Sequence, residues 1–405
     1  IACSTHNCYH KHNRYLEGVI VHVVVVGGGF AGVKAALELS KRQIGKITLI
    51  SNESYFLHHA TLYASATGRN LAESVIPLGI IFEKHPNVEI VEAAITRFNP
   101  TRKIISSDKQ DFHYDKLVLA LGSVTTYFGI EGMADHAFGI KSLGELKQFQ
   151  DHIHEEVVRK KLDKEFFVIG AGPTGVELAS ALTQYLSDLK LQYRLKNTRS
   201  SVTIVEAAPR VVPVLSETAS KKIHTQLKRQ GIKVLVNHKV QKLNETSIVI
   251  DGKEHATSTA IWTSGVANNP FFTEHHDLFQ LAPNNRVNVN PYLEAMKHVY
   301  VIGDNSTTKY SGRAMPAMLQ AKHAAKNIAR SATKQPQLKY RPRTVPTALP
   351  VGESYSYVEW FGIYAAGRTG KLLRRWVELY GYCQLVPLRV ALPIWRAHEL
   401  HDTNQ

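Results

Sequence analysis

The sequence predicts an α/β protein of two similar units, the second inserted in the first, followed by an amphipathic C-terminal region. Three observations carry this expectation. Val-Val-Val-Val-Gly-Gly-Gly-Phe-Ala-Gly at 23–32 and Phe-Phe-Val-Ile-Gly-Ala-Gly-Pro-Thr-Gly at 166–175 each join an apolar run to an alanine- and leucine-rich stretch through closely spaced glycines. A further apolar run, Val299-Tyr-Val-Ile-Gly-Asp304, follows the second unit. Residues 351–405 then shift in composition towards Trp, Tyr, Leu and Arg.

The elements follow in order. Val23–Val26 reads as a strand, about Ala31–Lys41 as a helix and Lys46–Ile50 as the next strand. Residues 51–115 mix loops with short strands, among them Val88–Val91 and Lys103–Ser106, and Lys116–Leu121 is a buried-strand run ending at Gly122. Charged helical spacing over Leu143–Lys161 leads into the second unit. There Phe166 opens a strand, Thr174–Lys190 a long helix and Ser201–Val205 a second strand. Ala219–Gln230 is an amphipathic helix stopped by Gly231, and Lys233–Val236 is a third strand. Residues 240–261 alternate as a meander, and Ala260–Trp262 with Ser264-Gly265 is expected to return the chain to the first unit. A helix over about Pro316–Ser331 precedes a linker marked by Pro336, Pro342, Pro346 and Pro350. The expected division is a disordered leader at 1–18, a first unit at 19–160 and 261–345, an inserted unit at 161–260, and a C-terminal region at 346–405.

A chain of 405 residues, 44% apolar and 20% charged, can hold two or three domains with real cores. Its net charge of +15 suits nucleic acid, an anionic membrane surface or anionic small ligands. No zinc-finger spacing, RNA-binding strand signature or long Lys/Arg run supports nucleic acid. The N-terminal Cys and His residues have no regular ligand spacing, so no metal is expected. No 18-residue uncharged apolar run exists, so no spanning helix is expected. The segment Trp376–Trp395 is apolar but interrupted by Glu378, Arg389 and two prolines, and Arg368, Lys371, Arg374 and Arg375 precede it. Basic residues beside aromatic segments suit a membrane interface, with a core-packed helix or a homodimer contact as the other reading.

The chemistry follows from the turns. Gly27, Gly29 and Gly32, and again Gly170, Gly172 and Gly175, fit G-x-G-x-x-G between a strand and a helix. The first glycine permits the turn, the second lets backbone approach a pyrophosphate, and the third lets helix and strand pack. The helix N-terminus then faces the phosphates. Two such units predict two dinucleotides, and so a flavin reduced by a nicotinamide. An acid ending the next strand would bind the adenine ribose; the second unit has Glu206, which favours NADH over NADPH, with Arg210 close enough in sequence to blunt that preference. The first unit has Ser51 there, with Glu53 two residues late. Asp304 stands just after a strand, where an aspartate resembles the one that bonds the flavin's ribityl chain in two-dinucleotide flavoproteins. Cys3, Cys8 and Cys383 leave no cysteine between residues 9 and 382, which excludes an electron relay through a disulfide at the flavin.

With these motifs the chain resembles the type II NADH dehydrogenases, single-subunit NADH:quinone oxidoreductases among the two-dinucleotide-binding-domain flavoproteins. The matching stretches are Gly27–Gly32, Tyr55–Gly68, Leu117–Gly122, residues 170–179, Glu206-Ala-Ala-Pro-Arg, Trp262-Thr-Ser-Gly-Val, Tyr300–Asp304, Pro316–Gln320 and Tyr357–Arg368, collinear over about residues 20–400. The resemblance implies FAD at Gly27, Gly29, Phe30, Ala31, Gly32, Ser51, Ala120, Gly122, Gly303, Asp304 and Leu319. It implies NADH at Gly170, Gly172, Pro173, Thr174, Gly175, Glu206 and Gly265, with Glu177 and Gln320 as catalytic residues beside nicotinamide and flavin. It also implies two Rossmann-like domains, a quinone acceptor without proton pumping, and a peripheral membrane location, on the cytoplasmic face if the source is bacterial. The pattern departs at Ala324, where a second glutamine belongs, at Leu319 for alanine, at Ser356 for lysine and at Ser51 for the ribose acid. Lys322 and His323 in the altered segment are read as surface residues of their helix. The alternatives are a soluble NADH-dependent reductase of a protein electron carrier and a binding flavoprotein like the apoptosis-inducing ones.

Overall fold

The computed structural model describes residues 21–195 and 199–398; the expected leader, with Cys3 and Cys8, lies outside the described residues. The first unit is a six-stranded sheet. Its order is Glu294–Met296, Val299–Val301, Lys116–Leu119, Val23–Val26, Ile47–Ser51, Val88–Glu92. All pairs are parallel except the Glu294–Met296 edge, and Val23 lies between Ile47 and Lys116 in register. The four valines at 23–26 are buried because helices or loops cover both faces, which is why this strand reads as a continuous apolar run. The Phe30–Ser40 helix packs against the Ala314–Ala332 helix through small residues, Ala36 facing a buried row of Ala317, Ala321, Ala324 and Ala325.

The second unit repeats the plan with four parallel strands, ordered Lys233–Val236, Ser201–Glu206, Glu165–Ile169, Ala260–Trp262. Ala260–Trp262 therefore does not begin the return to the first unit, as its sequence suggested. It pairs with Phe167–Ile169 and completes the second sheet. The chain crosses back one strand later, where Val266–Asn268 pairs antiparallel with Ser123–Thr125. The meander is a three-stranded antiparallel sheet at Val240–Leu243, Ser247–Ile250 and Lys253–Ala256.

The C-terminal region is an antiparallel sheet of Thr347–Pro350, Ser356–Trp360 and Ile363–Gly367, then helices Arg368–Cys383 and Leu388–Ala397. The longer helix is two-sided. Leu379 and Tyr382 enter the core, whereas Leu372, Leu373, Trp376 and Tyr380 face outward. Arg374 and Arg375, expected among the interfacial cations, turn inward: both pair with Glu378, and the Arg375 guanidinium lies 4.0 Å from the centre of the Trp395 ring. Burial in reach of a carboxylate and an indole outweighs hydration for these two arginines. Arg368 and Lys371 are exposed. Among the described residues no helix is long and apolar enough to cross a membrane.

Candidate active site

The first glycine turn closes tightly. Gly27 has φ +117°, and a methyl there would collide with the Ala120 carbonyl; one on Gly32 would collide with the Gly27 carbonyl. At Gly29 the space is open, and this residue caps the Phe30–Ser40 helix without any side-chain hydrogen bond. Free first-turn N–H groups at an open, positive helix end are what a pyrophosphate requires, so the residues present fit a dinucleotide. Phe30 and Ala31 lie in this first turn. Ala31 touches the position where a Cβ of Gly303 would lie, so the turn after Val299–Val301 rests on the same helix end.

Three turns converge here. Asn305 accepts from the Gly122 N–H at 2.9 Å and donates to the Gly122 carbonyl at 2.6 Å and to Asn268 Oδ1 at 2.7 Å. Sequence reasoning missed Asn305; its place directly after Gly303-Asp304 was the available signal. Asp304 accepts from the Gly312 N–H at 3.0 Å and from the Ser123 hydroxyl at 3.2 Å. Lys141, also missed, donates to Ser123 at 3.2 Å, and burial holds its pKa below the usual lysine value.

Gln320 does other work than expected. It is fully buried, its Oε1 accepts from the Gly303 N–H at 2.7 Å and the Ser306 hydroxyl at 3.2 Å, and its Nε2 donates to Thr308 at 2.6 Å. The side chain fastens the Gly303–Ser306 turn and is a positioning residue. Leu319, half-exposed beside it, joins no hydrophobic cluster. Ala324 belongs to the alanine row packed on the Phe30–Ser40 helix, which explains the departure, since a glutamine there would need room the packing does not leave. Lys322 is exposed, and His323 donates from Nε2 to the Leu338 carbonyl at 2.7 Å, anchoring the proline-marked linker. Ser51 accepts from the Glu53 N–H at 3.2 Å, and Glu53 is exposed.

The second cleft repeats the first. Gly170 has φ +107°, the space at Gly172 is open, and Gly172 caps Pro173–Gln192 without a side-chain bond. Pro173 sits at the start of the helix, where its missing N–H removes nothing. Gly175 packs against the Gly170 carbonyl, Thr174 is exposed, and Gly265, φ +72°, follows the strand beside the turn and abuts Thr126 and Phe128. Glu206 is aimed by its neighbours: one carboxylate oxygen accepts from Ala171 N–H at 2.6 Å, the other from Ala208 N–H at 2.8 Å. Arg210, expected near enough to blunt the Glu206 preference, donates from its guanidinium to the carbonyls of Pro213 at 2.8 Å and Leu215 at 3.0 Å.

Between the clefts lies a buried polar row. Phe30 packs edge-on to His58, ring centres 5.1 Å apart, and His58 lies 4.8 Å from Tyr382 of the C-terminal helix. Burial pushes His58 down to about 4, so the ring is neutral at physiological pH. One helical face on, Arg374 pairs with Glu378 and donates to the Tyr63 hydroxyl at 3.2 Å. Glu177, in the second turn of Pro173–Gln192, lies in the field of this pair. Burial pushes its carboxyl up to about 8, with Arg374 opposing and Glu378 adding to the rise. The acid is therefore protonated at neutral pH and able to donate a hydrogen bond. Ser356, at the position noted for a lysine, is buried with its hydroxyl unpartnered. The cation whose charge acts on Glu177 is Arg374 instead.

A family described as pyridine nucleotide-disulphide oxidoreductase matches residues 21–334. The chain belongs to this family. It does so without a cysteine anywhere from residue 9 to 382, so the disulphide part of the family's description has no counterpart in these two clefts. The chain is similar to the type II NADH:quinone oxidoreductase of Staphylococcus aureus, 28% identical over 333 residues, covering 76% of this chain and 82% of that protein. In fold it is similar to NDH2 of Plasmodium falciparum, with a TM-score of 0.84 at 15% identity over 94% of this chain and 98% of that one. It is also similar to the sulfide:quinone oxidoreductase of Aquifex aeolicus, with a TM-score of 0.77 at 19% identity over 94% and 92%. Both fold likenesses extend past the family match into the C-terminal region.

Proposed function

We propose that this chain is a FAD-dependent NADH:quinone oxidoreductase of type II, non-pumping and peripheral to a membrane. The observation that carries this is the pair of open helix-end clefts, only the second flanked by a strand-end acid, Glu206, joined by a buried row that ends on the C-terminal helix. The similarity to the staphylococcal NADH:quinone oxidoreductase supports the acceptor. Flavin held in the first cleft would supply the two-electron chemistry between nicotinamide and quinone.

This chain's own residues do the rest. The N–H groups opening the Phe30–Ser40 helix would hold the FAD pyrophosphate, and Asp304 the chain beyond it. The N–H groups opening Pro173–Gln192 and the Glu206 carboxylate would hold NADH, with repulsion of a 2′-phosphate giving the choice over NADPH. Protonated Glu177 donates a hydrogen bond towards the nicotinamide and holds a proton within reach of the acceptor. Membrane association would run through the outward face of Leu372, Leu373, Trp376 and Tyr380 with the Trp360–Ile363 hairpin tip. Exposed Arg368 and Lys371 border this aromatic and apolar face, which favours a lipid surface over a second copy.

Anaerobic addition of NADH to the yellow protein, then of a soluble quinone analogue, tests the reaction. Rapid loss of flavin absorbance followed by rapid recovery with quinone is expected. Loss without recovery would move the acceptor to a protein carrier.

A further inference from the structure

A cavity of about 430 Å³ opens between the Glu217–Arg229 helix of the second unit and the C-terminal sheet, lined by neither glycine turn. Its walls carry Lys221, Lys222 and Arg229 from the helix, Tyr355 from the connection between the first two strands of the sheet, and Ala366 and Gly367 from its last strand. Among the described residues none of the three cations forms an ion pair with a carboxylate. The acids of the adjoining strand and turn are engaged elsewhere: Glu359 accepts from Ser216 at 2.5 Å and Tyr357 at 2.9 Å, and Glu353 pairs with Arg69 at 2.5 Å. Three cations around one concavity repel each other, and an anion with several acceptor oxygens relieves that repulsion.

The surroundings say which anion. The Lys222 ammonium lies 5.0 Å over the ring of Tyr364, which is stacked on Tyr357 and half-exposed on the strand that forms the cavity wall. Ile363 beside it and Phe361 at the hairpin tip are more than two-thirds exposed, at 79% and 71%. The wall residue Gly367 runs directly into the Arg368–Cys383 helix with its outward apolar face. A cationic cavity thus borders an apolar surface continuous with it, which is the arrangement of polar and apolar parts in a phospholipid.

We propose that this cavity receives the phosphodiester headgroup of an anionic lipid, fixing the second unit against the membrane; this rests on the membrane association proposed above. The charges are placed to hold the phosphate while the hairpin tip and the C-terminal helix enter the acyl boundary.

The test uses the full chain with FAD and compares sedimentation with vesicles of phosphatidylcholine alone and of phosphatidylcholine with phosphatidylglycerol. The wild type is expected to bind the mixed vesicles about tenfold more tightly. The variant Lys221→Gln/Lys222→Gln/Arg229→Gln is expected to bind both alike, at the wild-type affinity for phosphatidylcholine, with NADH–ferricyanide turnover unchanged. A matched variant losing the exposed Lys84, Lys109 and Lys160 is expected to keep the preference. Retention of the preference by the cavity variant, or its equal loss in the matched variant, overturns the proposal. Wild-type binding equal on both vesicles removes the headgroup site and leaves membrane association standing. Failure to bind either vesicle, with turnover intact, removes both. Saturable binding of inorganic phosphate to the cavity, without any vesicle preference, reassigns it to a free anion and overturns the lipid.

Discussion

At the first turn Gly27 has φ +117° and Gly122, after the neighbouring strand, +70°; at the second Gly170 has +107° and Gly265 +72°. The two clefts agree in backbone to within about ten degrees, and both helices start on an open, uncapped glycine. They differ where the second strand ends. Ser51 leans on the first turn closely enough that a methyl on Gly28 would overlap its hydroxyl, and the third consecutive glycine answers that approach. In the second turn the equivalent residue is Ala171, and its N–H is bonded to Glu206. The backbone device is common to both units, and the residue that ends the neighbouring strand, Ser51 or Glu206, is what differs between them. The first unit alone gains a third turn, Gly303–Asn305, clasped onto Gly122 by Asn305.

The largest expected effect breaks the first turn. Gly27→Ala places a Cβ against the Ala120 carbonyl in a conformation alanine avoids, and should yield colourless protein with at least about 100-fold less NADH–ferricyanide activity. Gly170→Ala should stay yellow and lose affinity for NADH instead, by titration of flavin reduction. If both variants are colourless, the assignment of one nucleotide to each cleft fails.

Selectivity sharpens the comparison next. Glu206→Ala should raise KM for NADH about tenfold and narrow the NADH/NADPH ratio, whereas Ser51→Ala should shift FAD affinity by no more than about twofold. An unchanged NADH/NADPH ratio would remove Glu206 from the site.

Proton placement is a smaller effect. Glu177 keeps its proton to about pH 8, so a hydrogen bond it donates is present below that pH and lost above it. The kcat of the wild type should therefore fall on the alkaline side of about 8, and Glu177→Gln, a permanent donor, should flatten that limb while changing kcat at pH 7 only a few-fold. A limb that persists in the variant would assign it to another group.

The smallest effect is on stability, where the Leu143–Val158 helix meets Asp163 and Ser258 of the second unit. Glu156 shares the Ser258 hydroxyl with Asp163, at 2.9 and 3.0 Å, and burial first and Asp163 second push it up to about 7. The folded state binds this proton more tightly than the unfolded chain, so stability is complete below about pH 4.5 and declines as pH rises to about 7. Glu156→Gln should recover about 1 kcal/mol at pH 8, after allowance for partial screening, and nothing at pH 4, read as Tm at the two pH values.

Much of this was legible because local chemistry fixed it. The valine run, the glycine spacing and the apolar Val299–Ile302 each declare a buried strand or a tight turn without reference to a partner. Glu206 was legible because a strand end has a fixed relation to the turn beside it. Ala260–Trp262 was misassigned because a short apolar strand carries no mark of the sheet it joins; pairing with Phe167–Ile169 is a long-range choice. Arg374 and Arg375 were misassigned because the same side chain serves a membrane surface or a buried pair, and only the positions of Glu378 and Trp395 decide between them.

The sequence by itself determined that two strand–glycine turn–helix units exist, in which order, and which one has an acid at the end of its next strand, since each element is marked by its own few residues. The tertiary structure alone decided what stands between them. Gln320 became a brace for the Gly303 turn, Asn305 a clasp on Gly122, and Glu177 a protonated acid in the field of Arg374 and Glu378; burial set all three roles, and for Asn305 and Glu177 the partners lie more than a hundred positions away.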